Sequence, residues 1–444
     1  MDKLKFGVIS LGCDKNRIDS ETIIGRMHKK YELVSDPRQA EIILVNTCGF
    51  IESSKQESIN TILEMAEYKK KYNCKVLIVT GCLSQRYKDE LLELMPEIDI
   101  MLGVNNYDKL LESIDDYLER NSKTVYCDYS DNILNEGERF LTTGKATAYL
   151  RIGEGCDNFC TYCIIPKIRG KYRSRKIEDI VNEAKSLALQ GVKEVILVAQ
   201  DTTMYGIDLY GRKYLPELIR ELSKISDLKW IRLLYCYPEE ITDELIKEIK
   251  SNDKVCKYMD MPIQHISNDV LKRMNRRGRK DQVIENIEKM RRAVPNLCLR
   301  TSIIVGFPGE TEKDFNELMG FARDIRFDKL GAFKYSQEEG TPAAMMKDQI
   351  SEEVKEERER QLMLLQQSIS KDINESKIGK VYDVLVEGIK DEMYVGRSYE
   401  MAPNIDGDIY FTSNKALEPG QLIKVKITEA SEYDLIGVVY YESR

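Results

Sequence analysis

Three segments of the first hundred residues end alike: FGVISLGC closes at Cys13, EIILVNTC at Cys48 and KVLIVTGC at Cys82. Each is an apolar, β-branched run of the kind that forms a strand buried on both faces. The stretches between them, such as 51–72, carry helical periodicity. The cysteines lie 35 and 34 residues apart, one strand plus one helix each time. A βαβαβ unit with a parallel sheet follows. In such a sheet the groups just past the strand ends gather at the carboxyl edge, where open α/β sheets bind ligands. Three thiols from distant sequence positions are therefore expected in one place.

The 444 residues, 42% of them hydrophobic, suffice for about three domains of ~150 residues. A charged fraction of 32% with net charge −8 argues against a general nucleic-acid or membrane-surface binder, which needs clustered Lys and Arg. Met1 to Leu11 show no basic region followed by an apolar stretch and a cleavage site, and nowhere do ~18 apolar residues run together. The chain reads as cytoplasmic. Disulfides are rare there, so its eleven cysteines are buried fillers or metal ligands.

Along the chain, residues 1–127 form the N-terminal α/β domain. The polar stretch 128–145, with Asn132, Asn135 and Gly137, reads as a linker. A second domain over 146–350 alternates helical segments with six apolar runs: AYLRIG, EVILVAQD, WIRLLYCYP, YMDMPIQH, CLRTSIIVGFPG and LGAFKYSQ. Six βα repeats predict a partial (βα)6 barrel with its site at the carboxyl ends of the strands. Residues 351–375 read as a connecting helix. The short strands of 376–444 predict a small β-barrel resembling an oligonucleotide-binding type.

In GCDNFCTYCIIP, directly after the first barrel strand, Cys156, Cys160 and Cys163 stand at C-x3-C-x2-C. Close spacing on one loop lets three thiolates reach three irons of a cubane cluster and leaves the fourth iron open. A structural zinc site needs four ligands, and no fourth Cys or His is near, the only histidines being His28 and His265. Gly153, Gly155, Asp157 and Asn158 make the segment a loop, which weighs against buried filler thiols.

C-x3-C-x2-C in this position resembles the radical S-adenosylmethionine (SAM) enzymes. In that family the methionine amino and carboxylate groups chelate the open iron, and electron transfer into the sulfonium yields methionine and a 5′-deoxyadenosyl radical. The protein positions the radical and excludes water. Taken singly, Cys13, Cys48 and Cys82 would be ordinary buried thiols, but their equivalent positions point to a second cluster. A corrinoid-binding N-terminal domain would carry Asp-x-His-x-x-Gly, which is absent.

Three cysteines in an N-terminal α/β domain, a radical SAM barrel and a C-terminal TRAM-like barrel together resemble the methylthiotransferases over nearly the whole chain. SLGCDKNRIDSE, NTCGFIESSKQESI, FKYSQEEGTPAA and APNIDG look most like the branch that modifies an aspartate of ribosomal protein S-twelve; related branches methylthiolate a tRNA adenosine. The resemblance implies two [4Fe-4S] clusters, with Cys13, Cys48 and Cys82 as ligands of the second. It implies two uses of SAM, as methyl donor to sulfur at that cluster and as radical source. It also implies an electron donor such as flavodoxin or ferredoxin, and transfer of the methylthio group to the aspartate β-carbon.

The barrel geometry points to Gln200, Arg300 and Gly306 for SAM itself. Arg300 is a candidate to pair the methionine carboxylate, or else forms a structural ion pair. Gln200 stands in AQD where many radical enzymes resemble Gly-Gly-Glu. Gly306 either lets the adenine approach closely or makes a turn. The basic run KRMNRRGRK, Lys272 to Lys280, reads as a solvated face rather than a phosphate patch. Cys74, Cys127, Cys236, Cys256 and Cys298 have no ligand-like spacing. The segment Asn374 to Arg444 carries eight Lys and Arg against thirteen Asp and Glu, so it favours a basic protein over RNA. A tRNA adenosine methylthiotransferase and a non-catalytic iron–sulfur electron carrier are the alternative readings.

Overall fold

The three cysteine-terminated runs become adjacent parallel strands. In the computed structural model, which describes residues 3–130, 136–144 and 146–441, these are β1 (Lys5–Ser10), β3 (Ile42–Thr47) and β4 (Val76–Gly81). They stand at the centre of an all-parallel sheet of order β2-β1-β3-β4-β5-β6, with β2 at Glu32–Leu33, β5 at Ile100–Leu102 and β6 at Thr124–Tyr126. Successive side chains point to opposite faces. Ile43, Val45, Leu77 and Val79 pack with Ile62, Met65 and Ala66 of the helix Glu52–Lys71. Ile42, Leu44, Val76 and Ile78 pack with Ile23, Ile24 and Met27 of the helix Asp14–Met27. Every residue of β3 and β4 is buried, and each such Val, Leu or Ile side chain contributes about 1.5–3 kcal/mol.

Residues 128–145 are less of a linker than the polar composition predicts. Glu21, on the helix Asp14–Met27, accepts from the backbone N–H and hydroxyl of Thr142 and pairs with Arg139, and Arg26 donates to the carbonyl of Glu136. Residues 136–142 thus form a strap on that helix. The part of the linker reading that rests on Asn132 and Asn135 lies outside the described residues.

All six predicted barrel strands form: β7 (Thr147–Arg151), β10 (Glu194–Val198), β11 (Trp230–Leu233), β12 (Tyr258–Asp260), β13 (Cys298–Val305) and β14 (Lys329–Lys334). Two short strands, β8 (Gly153–Glu154) and β9 (Arg173–Ser174), flank the cysteine loop. The six make two parallel sheets, β11-β10-β7 and β12-β13-β14. The connecting helix is Glu352–Glu375. The C-terminal segment closes as a barrel of order β15-β16-β17-β19-β18, the five strands spanning Val381–Lys390, Met393–Arg397, Ile409–Thr412, Leu422–Ala430 and Leu435–Val439. The pair β17 and β19 is parallel in this otherwise antiparallel barrel. Among the described residues no helix is long and apolar enough to cross a membrane.

The chain divides into two compact units that cut across the domains read from the sequence. The first is Met1–Thr142 with Glu154–Arg173 and Ser336–Ala344. The second is Thr143–Gly153, Ser174–Tyr335 and Met345–Arg444. The C-x3-C-x2-C loop thus packs with the N-terminal sheet.

Candidate functional site

All six candidate ligand cysteines belong to the first unit. The three strand-end thiols lie just beyond the carboxyl edge: Cys13 opens the helix Asp14–Met27, Cys48 follows β3, and Cys82 opens the helix Cys82–Arg86. Gly12 and Gly81 make this possible. Gly12 has φ +84°, and a Cβ there would sit 2.7 Å from Cys48 Cβ. Gly81 has φ +102°, and a Cβ would lie 2.4 Å from the Thr47 carbonyl oxygen. Only glycine adopts these conformations in that space.

Polar side chains fix each turn. Asn16 donates to the carbonyls of Leu11 and Thr47 at 3.0 and 2.8 Å, tying the Cys13 loop to β3. The Ser58 hydroxyl accepts from the Cys48 N–H at 3.0 Å and donates to its carbonyl at 2.9 Å. Ser84 donates to the carbonyls of Gly81 and Leu102. Burial pushes the Cys82 thiol up to about 12, against the pull of Arg169, and the neighbouring Cys48 and Cys13 thiols act in the same direction as burial. Burial also raises Cys48, with Cys13 adding to it. The three sulfurs are near enough to influence one another electrostatically.

The second set stands on the loop between β8 and the helix Ile165–Arg169. The Cys156 N–H donates to the Gly170 carbonyl and the Cys163 N–H to that of Cys160. Phe159 holds φ +48°, a conformation costly for an aromatic residue and found at functional sites. Burial raises the Cys163 thiol, and Cys160 and Cys156 raise it further. Among the described residues no group of three or more His, Cys, Asp or Glu is arranged to hold a single metal ion. A cubane takes one thiolate at each of three separate irons, so its ligands stand further apart. All eleven cysteines are unbridged, and Cys74, Cys127, Cys236, Cys256 and Cys298 are buried core thiols.

The candidate SAM contacts fall in the second unit. Gln200 lies two residues past β10 and is half-buried, and the next residue, Asp201, caps the turn Thr202–Met204. Arg300 is the third residue of β13, towards its amino end. Its Nη1 lies 2.7 Å from Asp260 Oδ1 and its Nε 3.4 Å from Asp406 Oδ1. Two carboxylates occupy the guanidinium at the end of the strand away from the ligand edge. Arg300 therefore already has two carboxylate partners within the second unit. Gly306 has φ +69°, and a Cβ there would meet Lys355 Cγ, on the connecting helix, at 2.3 Å. On that side Lys355 makes the close approach.

Within the basic run, Lys272 and Arg277 are exposed, while Arg276 is buried over the Tyr237 ring and donates to the Pro262 carbonyl. The run is thus a partly structural face. A buried group near the carboxyl ends of β12 and β13 gave no sequence signal beyond rarity: His265. Burial lowers it to about 3, its Nδ1 accepts from the Ser267 N–H, and its Nε2 is 3.9 Å from Glu310. Burial pushes Glu310 up to about 7, against the pull of Arg358.

Residues 150–322 match the Radical SAM superfamily, residues 5–103 the family described as uncharacterized protein family UPF0004, and residues 378–439 the TRAM domain. Together with the two parallel sheets and the C-x3-C-x2-C loop, these matches define a radical SAM enzyme. The ribosomal protein uS12 methylthiotransferase RimO of Clostridium botulinum is 64% identical over 442 residues, covering 100% of this chain and 99% of that one. The protein of the same name from Clostridium novyi is 64% identical over 443 residues, with both chains fully covered, and that from Clostridium acetobutylicum 61% identical over 442. The chain belongs to the RimO family of radical SAM methylthiotransferases. The radical SAM methyltransferase TsrM from Kitasatospora setae has a TM-score of 0.57 at 12% identity, covering 86% of this chain and 78% of that one. The cobalamin-dependent SAM radical enzyme OxsB has a TM-score of 0.52 at 13% identity, covering 78% of this chain and 55% of that one. At such identities the likeness is one of fold alone.

Proposed function

We propose that this chain adds a methylthio group to the β-carbon of an aspartate in ribosomal protein uS12. Identity above 60% along the whole chain to proteins named for that activity carries the reading. Cys156, Cys160 and Cys163 hold one [4Fe-4S] cluster, and Cys13, Cys48 and Cys82 hold a second. When bound, the first cluster with SAM supplies the electron that splits the sulfonium, and the second supplies the site where sulfur is methylated. The gathering of both thiol sets in one compact unit supports this division of work. The chain's own part is geometric: Asn16, Ser58 and Ser84 hold the N-terminal thiols in register, and the Gly170 carbonyl fixes the loop at Cys156. Gln200 remains the candidate for the methionine amino group. A cytoplasmic flavodoxin or ferredoxin is the proposed electron donor.

The acidic balance of the C-terminal barrel supports a basic protein substrate over tRNA. Enzyme reconstituted anaerobically should add a methylthio group to an aspartate of purified uS12, read by mass spectrometry. It should leave a tRNA bearing isopentenyl- or threonylcarbamoyl-adenosine unchanged. Modification of the tRNA alone would overturn the substrate and leave the radical chemistry standing.

A further inference from the structure

Arg169 ties the flank of one cysteine set to a sulfur of the other. It ends the helix Ile165–Arg169, six residues after Cys163, and is 2% exposed. Its Nη1 donates to both carboxylate oxygens of Glu154, at 3.0 and 3.1 Å, two residues before Cys156. Its Nη2 donates to Asn16 Oδ1 at 2.7 Å and Asp19 Oδ2 at 3.2 Å, both on the helix that begins at Cys13. The same Nη2 lies 3.5 Å from Cys82 Sγ. One planar fork thus binds the flank of the C-x3-C-x2-C loop on one edge and the strand-end site on the other. The compact ammonium of a lysine cannot do both.

A cubane held by three thiolates is anionic and becomes more so on accepting an electron. Hydrogen bonds to its sulfurs and nearby positive charge favour the reduced form. Resting on the two-cluster reading above, we infer that Arg169 is a positioning residue that raises the reduction potential of the cluster at Cys13, Cys48 and Cys82. It does so by donating to the Cys82 sulfur and holding a fixed positive charge beside it. Glu154 opposes it and aims it, because both carboxylate oxygens accept from Nη1 and hold that edge of the guanidinium.

The test uses the full chain with Cys156, Cys160 and Cys163 all changed to Ala, which isolates the N-terminal cluster for redox titration followed by electron paramagnetic resonance. R169Q in this background should move the potential to more negative values and change the signal of the reduced cluster. R169K should give a smaller shift in the same direction. E154Q, which removes the opposing charge and leaves the arginine, should shift the potential the other way; this arm decides if R169Q loses its iron. An unchanged potential in R169K and E154Q would overturn the role of Arg169. Failure of the background chain to bind iron while otherwise folded would instead overturn the two-cluster reading.

Discussion

At the scale of single residues, the proposal gives each cysteine set its own part of the chemistry, and each can be removed alone. If both hold four-iron cubanes, the reconstituted chain carries about eight irons. The triple change of Cys13, Cys48 and Cys82 to Ala should leave half the iron and retain 5′-deoxyadenosine formation while ending methylthio transfer. Cys160→Ala should abolish 5′-deoxyadenosine. Full iron in the triple variant, measured beside a circular dichroism spectrum of the folded chain, would refute the second site. The cysteines were legible because their spacing repeats. Asn16, Ser58 and Arg169 were not, since a polar residue that will bond a distant carbonyl or sulfur looks like any other polar residue on a helix. The glycines before Cys13, Cys82 and Cys156 left a visible trace as the recurring pair Gly-Cys, all three with positive φ. The two carboxylates at Arg300 were not legible either, because an arginine on a barrel strand does not announce its partners on other segments.

At the scale of elements, the long strands could be read directly, and β2, β5 and β6 could not. Those three have two or three residues each, too few to show a period. The segment Ser336–Ala344 shows the same limit. FKYSQEEGTPAA carries family resemblance, yet nothing local says that Glu338 will be clamped by Arg86 at 2.9 Å and Lys55 at 3.1 Å. Both cations are nearly buried, and removing one partner of a buried pair costs about 3–5 kcal/mol. Glu338→Ala should therefore destabilise the first unit by roughly that amount in urea unfolding. It should also open 336–344 to limited proteolysis while the second unit stays resistant. Equal protection of wild type and variant would show that the clamp contributes nothing.

At the scale of the whole molecule, the C-terminal barrel joins the second unit through charge buried in its interior. Glu194 of β10 accepts from Arg232 Nε at 2.7 Å and from Arg397 Nη2 at 2.6 Å, and all three side chains are fully buried. Burial alone would raise the Glu194 carboxyl, but Arg397 and Arg232 outweigh it and hold it down to about 2. A carboxyl depressed in the folded state stabilises above its unfolded value near 4.3, and that contribution fades as pH falls towards 2. Thermal unfolding midpoints should drop over this window in the wild type. E194Q should start about 3–5 kcal/mol less stable and show a flatter profile. A wild-type drop of the same size in the variant would remove Glu194 as its cause.

The division into units also sets a clock. The segment 336–344 latches onto the cysteine loop, the Ala343 N–H donating to the Thr161 carbonyl and Lys167 to that of Gly340. The ribosome makes the last ligand thiol, Cys163, long before this latch. At about 5–20 residues per second the gap is roughly 10–40 s. For that interval the nascent chain presents six thiols with no finished cradle around them. The cradle proposed for the two clusters is therefore complete only once residues 336–344 have emerged and docked.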